Sequence, residues 1–258
     1  MTGVVDFHAR LAPDAGEPAR LLAEMDRAGI DRAAVSAGGL IGLDRLAEQI
    51  ARGGRAAVAA GNDRVRAQCA RSGGRLLPFF FADPVTDIET YGRQAAHFRG
   101  LEISPAVHGF RLDDPAVSEL VGLAAAAGHP VYVVTLARPG TRPDDLARLA
   151  RRFPAATFVW GHCGHSALEF DGLAALAWVP NILAETSGCL TVTARAAVSR
   201  LGPERVLFGT EYPLQHHSVE LAKLAALGLE PADRELVLGG NARRLLGESD
   251  RATAGEVR

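Results

Sequence analysis

The 258-residue sequence has few cysteines, no excess of charge of one sign and no long apolar run. Its three cysteines are odd in number and far apart, which argues against a disulfide framework and favours a reducing compartment. A formal net charge of −2, without a block of Lys and Arg, excludes the basic surface that nucleic-acid binding requires. No apolar run approaches the roughly 20 residues that span a bilayer, and the first residues lack the pattern of a secretory signal. We therefore expect a cytoplasmic protein with neither a nucleic-acid nor a membrane partner.

Short apolar runs alternate with helical patterns along the whole chain. The runs are nearly continuous, as is typical of parallel strands that are buried on both faces. Between two of them, Leu146, Leu149, Ala150 and Phe153 follow the i, i+3, i+4, i+7 spacing of an amphipathic helix. We predict strands at Val4–His8, Ala33–Ser36, Leu76–Phe81, Gly109–Leu112, Val131–Thr135, Thr157–Gly161, Ile182–Glu185 and Val206–Gly209.

About eight strand–helix units without a break in composition predict an α/β fold, a single-domain (β/α)8 TIM barrel. The length agrees, since such barrels typically contain about 250 residues. A doubly wound open sheet is the structural alternative, but no G-x-G-x-x-G follows the first strand, so a dinucleotide-binding fold is disfavoured. We expect the barrel to occupy residues 1–248 and residues 249–258, which have little to bury, to form a disordered tail.

Polar residues follow several of the predicted strands. In such a barrel, reactive side chains gather at the C-terminal ends of the strands, where His8, His162 and Glu211 would meet. These three are the candidate catalytic residues, although a histidine at a strand end is often only a hydrogen-bonded structural residue. Cys163 is interpreted as a small packing residue, because nothing in the sequence marks it as activated. Candidates for substrate binding are Arg10, Arg111, His165, Tyr212 and His216.

Seven segments, most of them at strand ends, carry a family resemblance when they are taken in order along the chain. They are Val5–His8, Gly109–Leu112, Gly128–Val131, Phe158–Gly164, Glu185–Gly188, Leu207–Pro213 and Asn241–Leu246. Together they resemble the amidohydrolase-related barrels, a group that includes aminocarboxymuconate-semialdehyde decarboxylase-like enzymes and metal-independent pyrone-dicarboxylate lactonases. The resemblance covers nearly the whole chain and implies an enzyme, a hydrolase or a lyase, that can form a homodimer.

Several positions depart from the ligand pattern of the metal-dependent members of that family. Those members resemble one another in a D-x-H-x-H first strand, a His that ends the fifth strand, a His on the sixth and an Asp on the eighth. Here Arg10 stands at the second His of the first motif and Val134 at the fifth-strand His. His8 and His162 are retained, and Glu211 replaces the Asp. Because a guanidinium stays protonated and offers no lone pair, the resemblance implies that the usual metal site is largely lost.

From this pattern we predict a metal-independent site without a cofactor. Arg10 would replace the charge of the metal and hold a substrate carboxylate or oxyanion, with Arg111 as a second clamp. His162 and Glu211 would transfer protons, and His8 would orient them or share the task. Such a site suits lactone hydrolysis, cyclisation with loss of water, or decarboxylation of a small anionic organic substrate.

Three alternatives stay open at this point. A zinc-dependent enzyme could use a rearranged ligand set in which His162 is joined by His165, His216 or His217. The protein could also bind a ligand without turning it over. Arg10 could pair with Asp6 or Glu211 and close a vestigial site. The segment 101–108, which precedes the predicted fourth strand, is longer than a tight connection and is a candidate lid.

Overall fold

The structure is a computed structural model that describes residues 3–14, 16–166 and 168–248. Eight parallel strands pair in chain order, each with the next. The predicted single-domain (β/α)8 barrel is therefore confirmed, whereas the predicted tail 249–258 lies outside the described residues. The strands are β1 Val4–Leu11, β2 Ile30–Ala37, β3 Leu76–Ala82, β4 Gly100–Ile103, β5 Val131–Val133, β6 Phe158–Trp160, β7 Ile182–Glu185 and β8 Val206–Leu207.

The segment that leaves β8 returns to β1 and brings the two ends of the sheet together. The backbone N–H of Phe7 donates to the carbonyl of Phe208 at 2.9 Å, and that of Arg10 donates to the carbonyl of Tyr212 at 2.8 Å. The backbone N–H and the hydroxyl of Thr210 also donate hydrogen bonds to the fully buried carboxylate of Asp6. Residues 8–10 and 210–212 consequently lie side by side at the mouth of the barrel.

Helices surround the sheet and bury the apolar stripes that the sequence shows. Leu21 and Met25 of the first helix, and Leu146 and Leu149 of the helix before β6, are buried in the core. No helix in the described part of the chain is long and apolar enough to cross a bilayer. The helices are α1 Glu17–Ala28, α2 Leu43–Arg52, α3 Asn62–Ala70, α4 Ile88–Gln94, α5 Pro105–His108, α6 Pro115–Ala126, α7 Pro143–Arg152, α8 Phe170–Leu176, α9 Thr191–Leu201, α10 His217–Ala225, α11 Pro231–Glu235 and α12 Asn241–Leu245.

The predicted fourth strand is wrong. β4 is Gly100–Ile103, α5 follows it, and Gly109–Leu112 lies in the connection to α6. The segment 101–108, predicted as a lid, is thus a buried strand and a short buried helix. The sequence does not show β4 as an apolar run, because this strand has only four residues and one of them, Glu102, is charged although fully buried. Its first residue is glycine because a Cβ there would lie 2.4 Å from the ring of Phe79.

Candidate metal centre

His8 projects from β1 and is held on two sides. Its ring stacks on the ring of Tyr132, with centroids 4.0 Å apart and an interplanar angle of 5°. Its Nε2 lies 3.3 Å from Oε2 of Glu102. These contacts set the orientation of the imidazole, so that Nδ1 points to the opposite side and lies 2.7 Å from Oε2 of Glu211.

His162 lies in the turn that follows β6. Its φ of 62° is in the left-handed region, and its backbone N–H donates to Oε2 of Glu185 at 3.2 Å. On the side chain, Nδ1 lies 2.8 Å from Oγ of Ser187. Because that partner occupies Nδ1, it is Nε2 that faces the mouth of the barrel, 3.1 Å from Oε2 of Glu211.

Glu211 follows β8, and its two carboxylate oxygens have separate partners. Oε1 accepts a hydrogen bond from Nε of Arg10 at 2.6 Å, whereas Oε2 faces His8 and His162. Burial by itself would raise the pKa of Glu211, but the charge of Arg10, followed by His162 and His8, holds that pKa well below its ordinary value. The residue is therefore an anion with one oxygen directed at two imidazoles.

One atom from each of these three side chains converges on a common point. The ligand atoms of His8, His162 and Glu211 all lie within 4.8 Å of one another. Nδ1 of His8 and Oε2 of Glu211 are buried and lie 2.7 Å apart, and neither atom has a hydrogen-bond partner outside the cluster among the described residues. Two imidazoles and one carboxylate are a donor set for zinc, manganese or iron. The arrangement thus fits a divalent transition-metal ion.

The second ring nitrogen of each histidine supports the same assignment. Nε2 of His8 contacts Glu102, and Nδ1 of His162 contacts Ser187, whose hydroxyl donates in turn to Glu185 at 2.8 Å. Partners of this kind fix the tautomer and the orientation of histidines that bind metals.

The local field favours a positive charge at His8. Burial by itself would lower the pKa of His8, but the carboxylates of Glu211 and Glu102 raise it to about 10. Burial would likewise raise the pKa of Glu102, but Arg10 and His8 lower it to about 2. A proton therefore resides on His8 when no cation is bound, and a bound metal ion would displace it.

Arg10 lies beside this cluster, and each of its three side-chain nitrogens donates a hydrogen bond to a protein group. Nη2 donates to Oε1 of Glu102 at 2.8 Å, Nε donates to Glu211, and Nη1 donates to the carbonyl of Ala37 at 3.3 Å. Its guanidinium also lies over the ring of Phe81, 5.6 Å from the centroid. The ion pair with Glu211 that we considered as an alternative for Arg10 is present. The guanidinium of Arg10 therefore neutralises two buried carboxylates without occupying the point at which the three ligand atoms meet.

A cavity of about 660 Å³ opens above the cluster. Arg10, His162 and Glu211 line it, while His8 is 2% exposed and lies beneath them. His165 also lines the cavity, and its Nδ1 lies 2.8 Å from Oε2 of Glu169. All three candidate catalytic residues and two of the five candidates for substrate binding are thus brought together.

The other three candidates for substrate binding do not line the cavity. Arg111 is exposed and pairs with Asp113 at 2.8 Å, because its segment is not the strand that the sequence predicts. The ring of Tyr212 stacks on His217, with centroids 4.8 Å apart, and His216 lies on the surface before α10. The structure therefore corrects the expected position of Arg111, Tyr212 and His216 at the site.

Several residues that support the cluster were missed in the sequence. They share burial and a hydrogen bond to, or stacking on, a cluster residue: Glu102, Tyr132, Glu185 and Ser187. Glu102 could have been found as a charged residue within a short, otherwise apolar segment of the sequence. Glu185 and Ser187 belong to a segment that carries the family resemblance, so they could have been found there.

A parallel barrel with two histidines and a carboxylate at its mouth is typical of barrel enzymes that act as hydrolases or lyases. The family sequence model of the amidohydrolases matches residues 5–247. The chain therefore belongs to the amidohydrolase family, as its strand-end segments predict. No curated protein matches the chain.

Solved structures share the fold at low identity. A 2,6-dihydroxybenzoate decarboxylase from Rhizobium is 21% identical, with a TM-score of 0.68 and coverage of 96% of this chain and 99% of that one. A 5-carboxyvanillate decarboxylase from Novosphingobium aromaticivorans, complexed with manganese and 4-hydroxy-3-methoxy-5-nitrobenzoic acid, is 16% identical, with a TM-score of 0.70 and coverage of 95% and 96%. An amidohydrolase from Burkholderia multivorans with bound zinc is 17% identical, with a TM-score of 0.70 and coverage of 95% and 99%.

The prediction of a site without a metal or cofactor is wrong. Similar structures hold manganese or zinc, and His8, His162 and Glu211 form a set that could hold a metal here. The error has a physical cause. Arg10 was expected to place its charge inside the metal site, whereas its guanidinium is bound by Glu102 and by Oε1 of Glu211.

Proposed function

We propose that this protein is a metal-dependent lyase of the decarboxylase type that acts on an organic acid, with a divalent cation held by His8, His162 and Glu211. The observation that carries the proposal is the convergence of three ligand atoms, one from each of these side chains, within 4.8 Å of one another. A cation bound there supplies a Lewis acid that polarises a substrate oxygen and attracts an anionic group.

The remaining residues have supporting roles in this proposal. Glu102 holds Nε2 of His8, and Ser187 holds Nδ1 of His162, so both imidazoles present their other nitrogen to the cation. Arg10 neutralises Glu102 and keeps Oε1 of Glu211 occupied, which leaves Oε2 for the cation. The donor set is therefore oriented before any ligand binds.

Decarboxylation also requires a proton. The bond between the substrate carbon and its carboxylate breaks, the electron pair stays on that carbon, and a proton replaces the carbon dioxide that leaves. We assign the proton to the imidazole of His165, which lines the cavity beside the cluster. Its Nδ1 lies 2.8 Å from Oε2 of Glu169, which orients the ring, and its partly exposed side chain can exchange protons with solvent.

Hydrolysis is the second candidate, because the amidohydrolase with bound zinc shares this fold. The two reactions differ in whether water is consumed. Release of carbon dioxide from a panel of hydroxybenzoates tests the first, and cleavage of a panel of lactones and amides tests the second.

Removal and return of the metal test the proposal as a whole. We expect chelated protein to lose turnover, and Mn²⁺ or Zn²⁺ to restore it. His162→Ala and Glu211→Gln should retain the circular-dichroism spectrum of the fold and fail to retain metal on elemental analysis. His216→Ala, which lies outside the cavity, is the matched control and should keep both metal and activity.

Two results would contradict the proposal. Turnover that survives exhaustive chelation would show that the cation is not needed. Tight binding of an acid by the metal-loaded protein without any turnover would instead identify a non-catalytic ligand-binding protein.

A further inference from the structure

The cavity above the cluster has a polar floor and an extensive apolar wall. The floor is formed by Arg10, His162 and Glu211. The wall comes from α2, from the ends of β3 and β5, and from the loop between β2 and α2. Its larger side chains include Leu43, Leu46, Ile50, Phe81, Val134 and Leu136.

The stripe on α2 is unusual for a surface helix. Leu43, Leu46 and Ile50 are spaced i, i+3 and i+7 and line the cavity, on a helix whose other residues are mostly polar. Yet Leu43 is 64% exposed and Ile50 is 40% exposed. The apolar face of α2 is therefore turned toward open cavity space, and packing within the protein leaves much of it uncovered.

Polar contacts hold α2 in this position. Nε2 of Gln49, the one buried residue of the helix, donates to the carbonyls of Ala106 and Val107 at 2.7 and 3.0 Å. Nη1 of Arg138 donates to the carbonyls of Gln49 and Ile50 at 2.8 and 2.7 Å. The helix is thus anchored at its C-terminal end, while its apolar stripe stays available to a ligand in the cavity.

The charges around the cavity limit what that ligand can carry. Among the described residues that line it, Arg10 is the one with a permanent positive charge. Glu102 and Glu211 already pair with this guanidinium. A second acid group on the substrate, away from the cation, would have no partner in the apolar wall and would lose its hydration there.

The size of the cavity also indicates a substrate with a large apolar body. An engineered apolar cavity of about 150 Å³ takes up one benzene molecule. The space of about 660 Å³ above the cluster is several times larger than a single ring requires. A substrate with one ring would fill only part of this space.

We infer that the substrate has one acid group at the metal centre and a large uncharged apolar body, bigger than a single ring, that lies against α2. This inference rests on the proposed function and narrows its substrate class. The apolar stripe on α2 and the ends of β3 and β5 then determine specificity, while the metal ligands hold the acid.

Binding of three matched acids to the manganese-loaded protein tests the inference by titration calorimetry. The probes are 2-hydroxybenzoate, its 4-phenyl derivative and its 4-carboxy derivative. We expect the phenyl derivative to bind at least tenfold more tightly than the parent, because the added ring is buried against apolar side chains. The 4-carboxy derivative should bind no more tightly than the parent.

Variants on α2 locate the effect. Leu43→Glu and Ile50→Glu change exposed positions that line the cavity, and both should remove the gain from the phenyl group, measured within each variant as the ratio of the dissociation constants of the parent acid and its phenyl derivative. Ala47→Glu places the same charge on the same helix at an exposed position outside the cavity lining, and it should keep the gain.

The outcomes separate the two proposals. Equal affinity for all three acids, or a gain that survives in Leu43→Glu and Ile50→Glu, would overturn the inference and leave the proposed function standing. If metal-loaded protein bound none of the acids, the proposed function would fail, and the inference would fail with it.

Discussion

Arg10 lies at the site, as predicted, but its role differs from the predicted replacement of a metal ion. Its guanidinium pairs with Glu102, which is fully buried, and with Glu211. Two carboxylates so close to each other repel, and a cation between them allows both to remain ionised. The residue that seemed to replace a metal instead supports the carboxylate that can bind one.

Replacing Arg10 should therefore destabilise the fold. We expect Arg10→Gln to lower the free energy of unfolding of the metal-free protein by about 3–5 kcal/mol, because removing one partner leaves buried charges uncompensated. Arg111→Gln removes an exposed ion pair, which solvent screens, and should cost much less than Arg10→Gln. Urea unfolding of the two variants and the parent protein measures both values. Equal losses would show that the pairs of Arg10 contribute no more than a surface pair.

At the scale of elements, the predictions succeed where a strand or helix is long enough to show its own pattern. β3 and β7 agree with the predicted runs to within one residue, since each contains an uninterrupted apolar run. β4 does not, because four residues that include Gly100 and Glu102 carry no apolar run. The apolar stripe that predicts helices is visible in α2 as well, but in the structure that stripe lines a cavity, and of its residues Leu46 also packs against the core.

The connection between α6 and β5 carries a titratable contact far from the cluster. The hydroxyl of Tyr91, on α4, lies 2.8 Å from Nδ1 of His129, which accepts its hydrogen bond when neutral. Burial, together with the charge of Arg99, lowers the pKa of His129. Above its ordinary pKa of about 6.5 the ring is neutral in both the folded and the unfolded chain. As the pH falls below that value, the unfolded chain binds a proton that the folded chain resists, so stability is lost.

His129→Gln should remove this part of the pH dependence. We expect the free energy of unfolding of the parent protein to fall between pH 7.5 and pH 5 by more than that of the variant, as followed by urea unfolding at each pH. His97→Gln, at an exposed position, is the control and should keep the slope of the parent. If His129→Gln also kept that slope, the contact would not contribute to it.

At the scale of the whole molecule, a metal site at the mouth of the barrel links binding to stability. The ligands come from β1 and from the segments after β6 and β8, so a bound ion would cross-link distant parts of the chain. Because a ligand that binds only the folded state stabilises it, Mn²⁺ or Zn²⁺ at about 100 times its dissociation constant should add about 2.7 kcal/mol. This corresponds to a rise in Tm of about 5–10 °C for a domain of this size.

Differential scanning calorimetry with and without the metal measures this shift. Glu211→Gln, compared at the same metal concentration, should show almost none of it. A similar rise in the parent protein and in Glu211→Gln would place the bound metal elsewhere in the molecule.

The barrel, the family and the positions of the three side chains at the barrel mouth can be predicted from the amino-acid sequence alone. Each of these is visible locally, since buried parallel strands are apolar runs and the polar residues that end them must meet at one edge. What those side chains can do depends on contacts between distant parts of the folded chain. Arg10 and Glu102 are 92 positions apart in the chain, and Arg10 and Glu211 are 201 apart. Which oxygen of Glu211 stays free for a cation depends on those distant contacts, and no local pattern in the sequence records them.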